Sequence, residues 1–168
     1  MTASSQKGVD TVISPAEAVT AAARALKELD LRTNANMAHA LAGAHVGPPL
    51  FVKRLDVPDR DYYLVPWENE DGITLVMELY ASAGSLAGAA PLKKPVRHIT
   101  LSPKQAIAAV AQSTGREPAG EPQLVWRPCR ESPSPMRPFY RIATETGELF
   151  VSPEGQVYTT LTPFGRGG

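Results

Sequence analysis

The chain has 168 residues, 43% of them apolar and 20% charged, with 17 acidic and 17 basic side chains; this supports a modest folded core and excludes wholesale disorder and a strongly basic nucleic-acid-binding surface. The 16 prolines and 13 glycines exclude a long helical bundle or coiled coil. A single cysteine, Cys129, excludes an internal disulfide, and no segment approaches the roughly 18 apolar residues of a membrane span.

Residues 1–10 are small and polar and are expected to form a flexible tail. The opening "MTASSQKGVDTV" lacks the apolar run of a secretory signal, so the sequence as written points to the cytoplasm. Ser14 then precedes Pro15, with Glu17 three positions on. A serine oxygen can accept a free helix N–H, proline wastes none in the first turn, and Glu17 completes a capping box. Val19, Ala22, Leu26 and Leu29 follow at steps of three and four, which predicts a helix from Pro15 to about Leu29. An insertion at about 31–48 carries a short helix, roughly Ala35 to Ala42, stopped by Gly43. "LFVKRLDV", "DYYLVPW" and "ITLVMELYA" read as strands, with Asp71-Gly72 marking the turn before the last. Residues 84–97, "GSLAGAAPLKKPVR", read as a linker.

The second half uses the same grammar 88 positions later. Ser102 caps, Pro103 sits in the first turn, Gln105 takes the box position, and Ile107 and Val110 match Val19 and Ala22. Thr114 stands where Leu26 stood, so the apolar face ends sooner, and Gly115 stops the helix. "QLVWRP", "FYRIAT", "LFVS" and "QVYTTL" read as strands separated by a proline-rich loop and glycine turns. The expected fold is therefore α+β, as two tandem units, each an amphipathic helix over a small antiparallel sheet. The units span residues 11–90 and 91–168.

"ISPAEAVTAAARAL" and "LSPKQAIAAVAQSTG" resemble the opening of a PepSY domain, in which a Ser-Pro-x-x-Ala phrase starts the helix. "FYRIATETGELFVSPEGQVYTTL" is similar to that family's strand, hairpin and final acidic-x-x-Gly-x-Val turn. The first half ends in a weaker version, with Ala81 at the acidic position. The resemblance covers about 150 residues as two copies. It implies a non-catalytic binding or regulatory module, of the kind found in peptidase propeptides and extracytoplasmic proteins, with a protein or peptide as partner. It also implies an address outside the cytoplasm, for which this sequence shows no signal.

The chemistry-bearing residues point the same way. His39, His45 and His98 lack the close spacing of a structural zinc site, and Cys129 has no neighbouring histidine to activate it. Glu68, Glu70 and Asp71 fall at a hairpin tip, where water keeps carboxylates ordinary. The final "GRGG" reads as a terminal tail. No phosphate loop, dinucleotide fingerprint or nucleophile elbow is present, so neither an enzymatic activity nor a cofactor nor a metal is expected. In the strand at 61–67, Tyr63, Val65 and Trp67 share one face and Tyr62 and Leu64 the other. One face must serve the core; the other is free to form an aromatic patch. Tyr62, Trp67, Trp126 and Tyr140 are the candidate partner-binding residues, recognising a ligand through an exposed sheet face or edge. A structural or assembly role is the alternative. It rests on opposed charge: ten acidic against six basic side chains over 11–90, and ten basic against six acidic over 91–168. Such halves could attract each other or other copies, an attraction screened over about 8 Å at physiological salt.

Overall fold

Ser14 and Ser102 perform the same task at two helix starts. In the computed structural model, which describes residues 11–164, the Glu17 N–H donates to Ser14 Oγ at 3.2 Å, while Ser14 N–H donates to the Glu17 carboxylate at 2.7 Å. Ser102 and Gln105 repeat both bonds at 3.2 and 2.9 Å. Helix α1 spans Pro15–Glu28 and helix α3 spans Pro103–Thr114. Gly115 ends α3 with a left-handed backbone, φ +67°, which glycine adopts without a Cβ clash. Thr114 also serves this end: its hydroxyl donates to the Val110 carbonyl at 2.8 Å and accepts from Arg116 N–H at 3.2 Å.

The buried stripe of α1 is Ala18, Ala21, Ala22, Ala25 and Leu26. Small residues let the helix approach the sheet closely. Leu29, expected to extend this face, is 56% exposed; it lies one residue past the helix, where the chain turns away. Helix α3 buries only Ala106 and Val110.

The insertion forms a 3-10 turn at Leu31–Thr33, helix α2 at Ala35–Ala40 and strand β1 at His45–Val46. Asn34 caps α2 by accepting from the Asn36 and Met37 N–H groups at 3.0 and 3.3 Å. Thr74 Oγ1 donates to the Ala40 carbonyl, which fastens the end of α2 to the sheet. The remaining strands are β2 Leu50–Arg54, β3 Tyr62–Asn69, β4 Gly72–Tyr80, β5 Leu86–Val96, β6 Gln123–Trp126, β7 Phe139–Thr144, β8 Gly147–Val151 and β9 Val157–Tyr158.

The nine strands among the described residues belong to one sheet in the order β5-β4-β3-β2-β6-β7-β8-β9, with β1 also on β3. Every pairing is antiparallel except β2 with β6, where Lys53 faces Val125 and Arg54 faces Trp126. That parallel pair joins the first half of the chain to the second. Leu55 N–H extends it by donating to the Trp126 carbonyl at 3.0 Å.

The segment read as a linker is strand β5. It pairs with β4 along the sheet edge, so a boundary after residue 90 falls inside a strand. Proline content concealed it, yet an edge strand tolerates proline because one side of its backbone serves no ladder. Pro91 faces Leu75 and Val96 faces Ile73, so residues 92–95 bulge opposite Thr74 alone. The tail at 1–10 and the final "GRGG" lie outside the described residues.

Two apolar clusters share β3 and β4. Ala18, Ala22, Leu26 and Leu41 cover Tyr63, Val65, Trp67, Leu75, Met77 and Leu79. On the opposite face, Val52, Tyr62, Leu64 and Val76 join Val110, Val125, Phe139, Ile142 and Leu149 in a second cluster built from both halves.

Candidate seam cleft

The four aromatic residues expected to meet a partner are all in the core. Tyr62 is 0% exposed, Trp67 6%, Trp126 5% and Tyr140 6%. They form no open patch, because both faces of β3 are covered: one by α1 and α2, the other by the second half of the chain. Each ring has its own setting. The Tyr62 hydroxyl donates to the Pro135 carbonyl at 2.7 Å, and Trp126 Nε1–H donates to the Ser132 carbonyl at 3.2 Å. Trp67 Nε1–H is buried without a hydrogen-bond partner. Tyr140, on β7, has no hydroxyl partner among the described residues.

The sheet edges offer little for an added strand. Strand β9 has two residues, and β5 carries two prolines, two lysines and two register shifts. Such features blunt an edge against pairing.

Open clefts lie beside α1, one of about 550 Å³ against residues 83–86, and along the seam between the halves, where residues of both meet. Arg54, at the end of β2, holds Asp56 through two bonds of 2.8 Å and places its guanidinium 4.8 Å from the centroid of the Trp126 ring. The hydrogen bond from Arg54 keeps the Asp56 carboxyl below its ordinary range, and the same bond raises Arg54. Burial raises the Tyr62 phenol, reinforced by Glu78 nearby, so it remains a donor. Burial also raises Glu78, which Arg54 counters in part. Among the described residues, no ion pair joins the two halves. Strand pairing, apolar packing, the Tyr62–Pro135 hydrogen bond and the Arg54–Trp126 stack hold the seam instead.

The connector between β5 and α3 runs between two clefts, and both are bordered by His98 and Ile99. The larger, about 460 Å³, lies over the part of the β4–β5 face that the second half leaves uncovered. Val76, Ala90, Leu92 and Met136 line it, and the paired side chains of Arg137 and Glu154 also border it. The smaller, about 310 Å³, is walled by Pro48, Leu50, Pro66, Leu101 and Pro103, with Glu68 and Tyr140 contributed from opposite halves. Gly47 packs beside it: a Cβ there would stand 3.1 Å from both Glu68 Oε1 and Pro66 Cγ.

The remaining candidates stay apart. His45 lies 3.6 Å from Glu68, and no group of three or more His, Cys, Asp or Glu among the described residues could hold a metal. Cys129 is fully buried, and its thiol, raised by burial, lies 3.6 Å from the Ser132 carbonyl. Glu70 and Asp71 are exposed at the β3–β4 turn. No helix among the described residues is long and apolar enough to cross a membrane.

Sequence reasoning singled out Tyr140, and weighed His98 only as a metal ligand, but not Arg97 or Thr100, which lie with them along the smaller cleft. A histidine and an arginine after "LKKPV" carry no motif. Only the parallel β2–β6 pair brings that connector beside β7.

No protein-family model matches the chain, and no curated protein matches it. Among solved structures, a crystal structure of a candidate lipoprotein from Clostridium difficile 630 aligns over 88% of this chain and 92% of its own, at 14% identity and a TM-score of 0.31. The likeness is slight.

Proposed function

We propose that this chain is a non-catalytic binding module, built from two fused PepSY-like units, that docks a protein or peptide segment in the seam between them. The observation that carries this reading is the pair of mostly apolar clefts on either side of His98 and Ile99. Apolar walls with a few convergent polar groups are what ligand sites usually present. The repeated capping boxes support the fused-unit reading, since each opens a helix that packs on antiparallel strands. Docking a segment there would serve inhibition or regulation of whatever protein supplies it.

The test is selection of peptides from a random phage-displayed library on the full chain, followed by titration of the enriched sequences. Leu92→Asp places a charge on the wall of the larger cleft, at a partly exposed position. It is expected to abolish binding while the circular dichroism spectrum and melting temperature stay near those of the parent. Failure to enrich any peptide, or undiminished binding by the variant, would count against the proposal.

A further inference from the structure

The smaller cleft has more hydrogen-bond donors than the protein uses. The Thr100 hydroxyl is buried with no partner. Tyr140 is more than nine-tenths buried; its hydroxyl is unpaired among the described residues, and it is not one of the fully occluded atoms. Arg97 has no ion pair among the described residues. Gln105 spends its side-chain oxygen on Ser102 N–H, which leaves its amide hydrogens free. Glu68, the acidic residue of the lining, already lies 3.6 Å from His45. The start of α3, at Ser102 and Pro103, adds the positive end of a 12-residue helix to the same wall.

Unpaired donors in an apolar cleft call for an acceptor, and a charged acceptor gains most. We infer that the smaller cleft binds the C-terminal carboxylate of a peptide whose last side chain is apolar, with Arg97, Thr100, Gln105 and Tyr140 around the carboxylate and the proline-rich wall around the side chain. The inference rests on the binding reading above. A peptide fits better than a free carboxylic acid because the larger cleft, bordering the same His98 and Ile99, provides apolar room for preceding residues.

Nitrogen-15-labelled full chain would be titrated, with amide shifts followed, using three probes: acetyl-Ala-Ala-Leu with a free carboxylate, the same peptide as its C-terminal amide, and 4-methylpentanoate. The free-carboxylate peptide is expected to shift signals of residues 97–105 and 140 and to bind roughly tenfold tighter than either other probe, the scale of one hydrogen bond to a charged group. Tyr140→Phe and Arg97→Gln should each erase most of that advantage by weakening the free acid more than the amide. Tyr140→Phe should also melt like the parent, since the lost hydroxyl has no protein partner. Equal binding of acid and amide overturns the carboxylate site while leaving the binding module standing. Equal binding of 4-methylpentanoate overturns the peptide. Absence of any shift along the seam overturns both the inference and the function it rests on.

Discussion

The guanidinium of Arg54 stacks on the ring of Trp126, 4.8 Å from its centroid, and so links the last residue of β2 to the last residue of β6. The two residues are also register partners in the parallel pair that joins the halves. Two bonds to Asp56 hold the guanidinium of Arg54 in place; Arg54 is half-buried and Asp56 is exposed.

Arg54→Leu should therefore destabilise the protein by about 0.5–2 kcal/mol, chiefly through the lost stack. Arg54→Lys should recover only part of this, because an ammonium cannot bind Asp56 with two parallel bonds while lying flat on an indole. Urea unfolding of the three proteins measures it. A leucine variant with the parent's midpoint would show that the clip contributes nothing.

The caps give a second expectation. Ser14→Ala and Ser102→Ala each leave a first-turn N–H without its side-chain acceptor. Each should cost about 0.5–2 kcal/mol by chemical denaturation. The loss at Ser102 should show in signals of β8 and β9, on which α3 packs, and the loss at Ser14 in those of β3 and β4.

Glu78 predicts a dependence on pH. Its carboxyl is raised in the folded state, chiefly by burial. The folded protein thus favours the protonated form. That preference contributes stability fully below the unfolded carboxyl range, and the contribution is lost as pH rises through the folded value. Glu78→Gln should then raise the melting temperature at pH 7 and leave it nearly unchanged at pH 4. The partial compensation by Arg54, which glutamine forgoes, works against the gain but ranks below burial as a cause. A variant less stable than the parent at pH 7 would mean that the attraction to Arg54 outweighs burial.

The shared core predicts that the halves unfold together. Val52, Tyr62, Leu64 and Val76 of the first half pack in one cluster with Val110, Val125, Phe139 and Ile142 of the second. Separating the chain after residue 97 respects β5 but exposes this surface and opens both β2 and β6. Residues 98–168 alone should show no cooperative melting at the temperature of the whole chain. Differential scanning calorimetry of each half beside the parent decides it; an isolated second half melting as sharply and as high would mean two independent units.

What the sequence determined by itself was local. Ser14, Pro15 and Glu17 start a helix wherever the chain goes, because every partner in a capping box lies within three residues. The same holds for Ser102, Gly115 and the turn before Gly72. Period-two alternation placed Tyr62 and Leu64 opposite Tyr63, Val65 and Trp67, and the structure keeps that division. Alternation says which residues share a face but not how many faces are covered. Covering depends on the parallel pairing of β2 with β6, made between strands some 70 residues apart by backbone bonds that no side-chain pattern announces. That single pairing buries Tyr62, Trp126 and Tyr140 in a core shared by both halves and brings Tyr140 to the same wall as Arg97 and Thr100, while α1 and α2 cover Trp67 and pairing with β4 makes the apparent linker an edge strand.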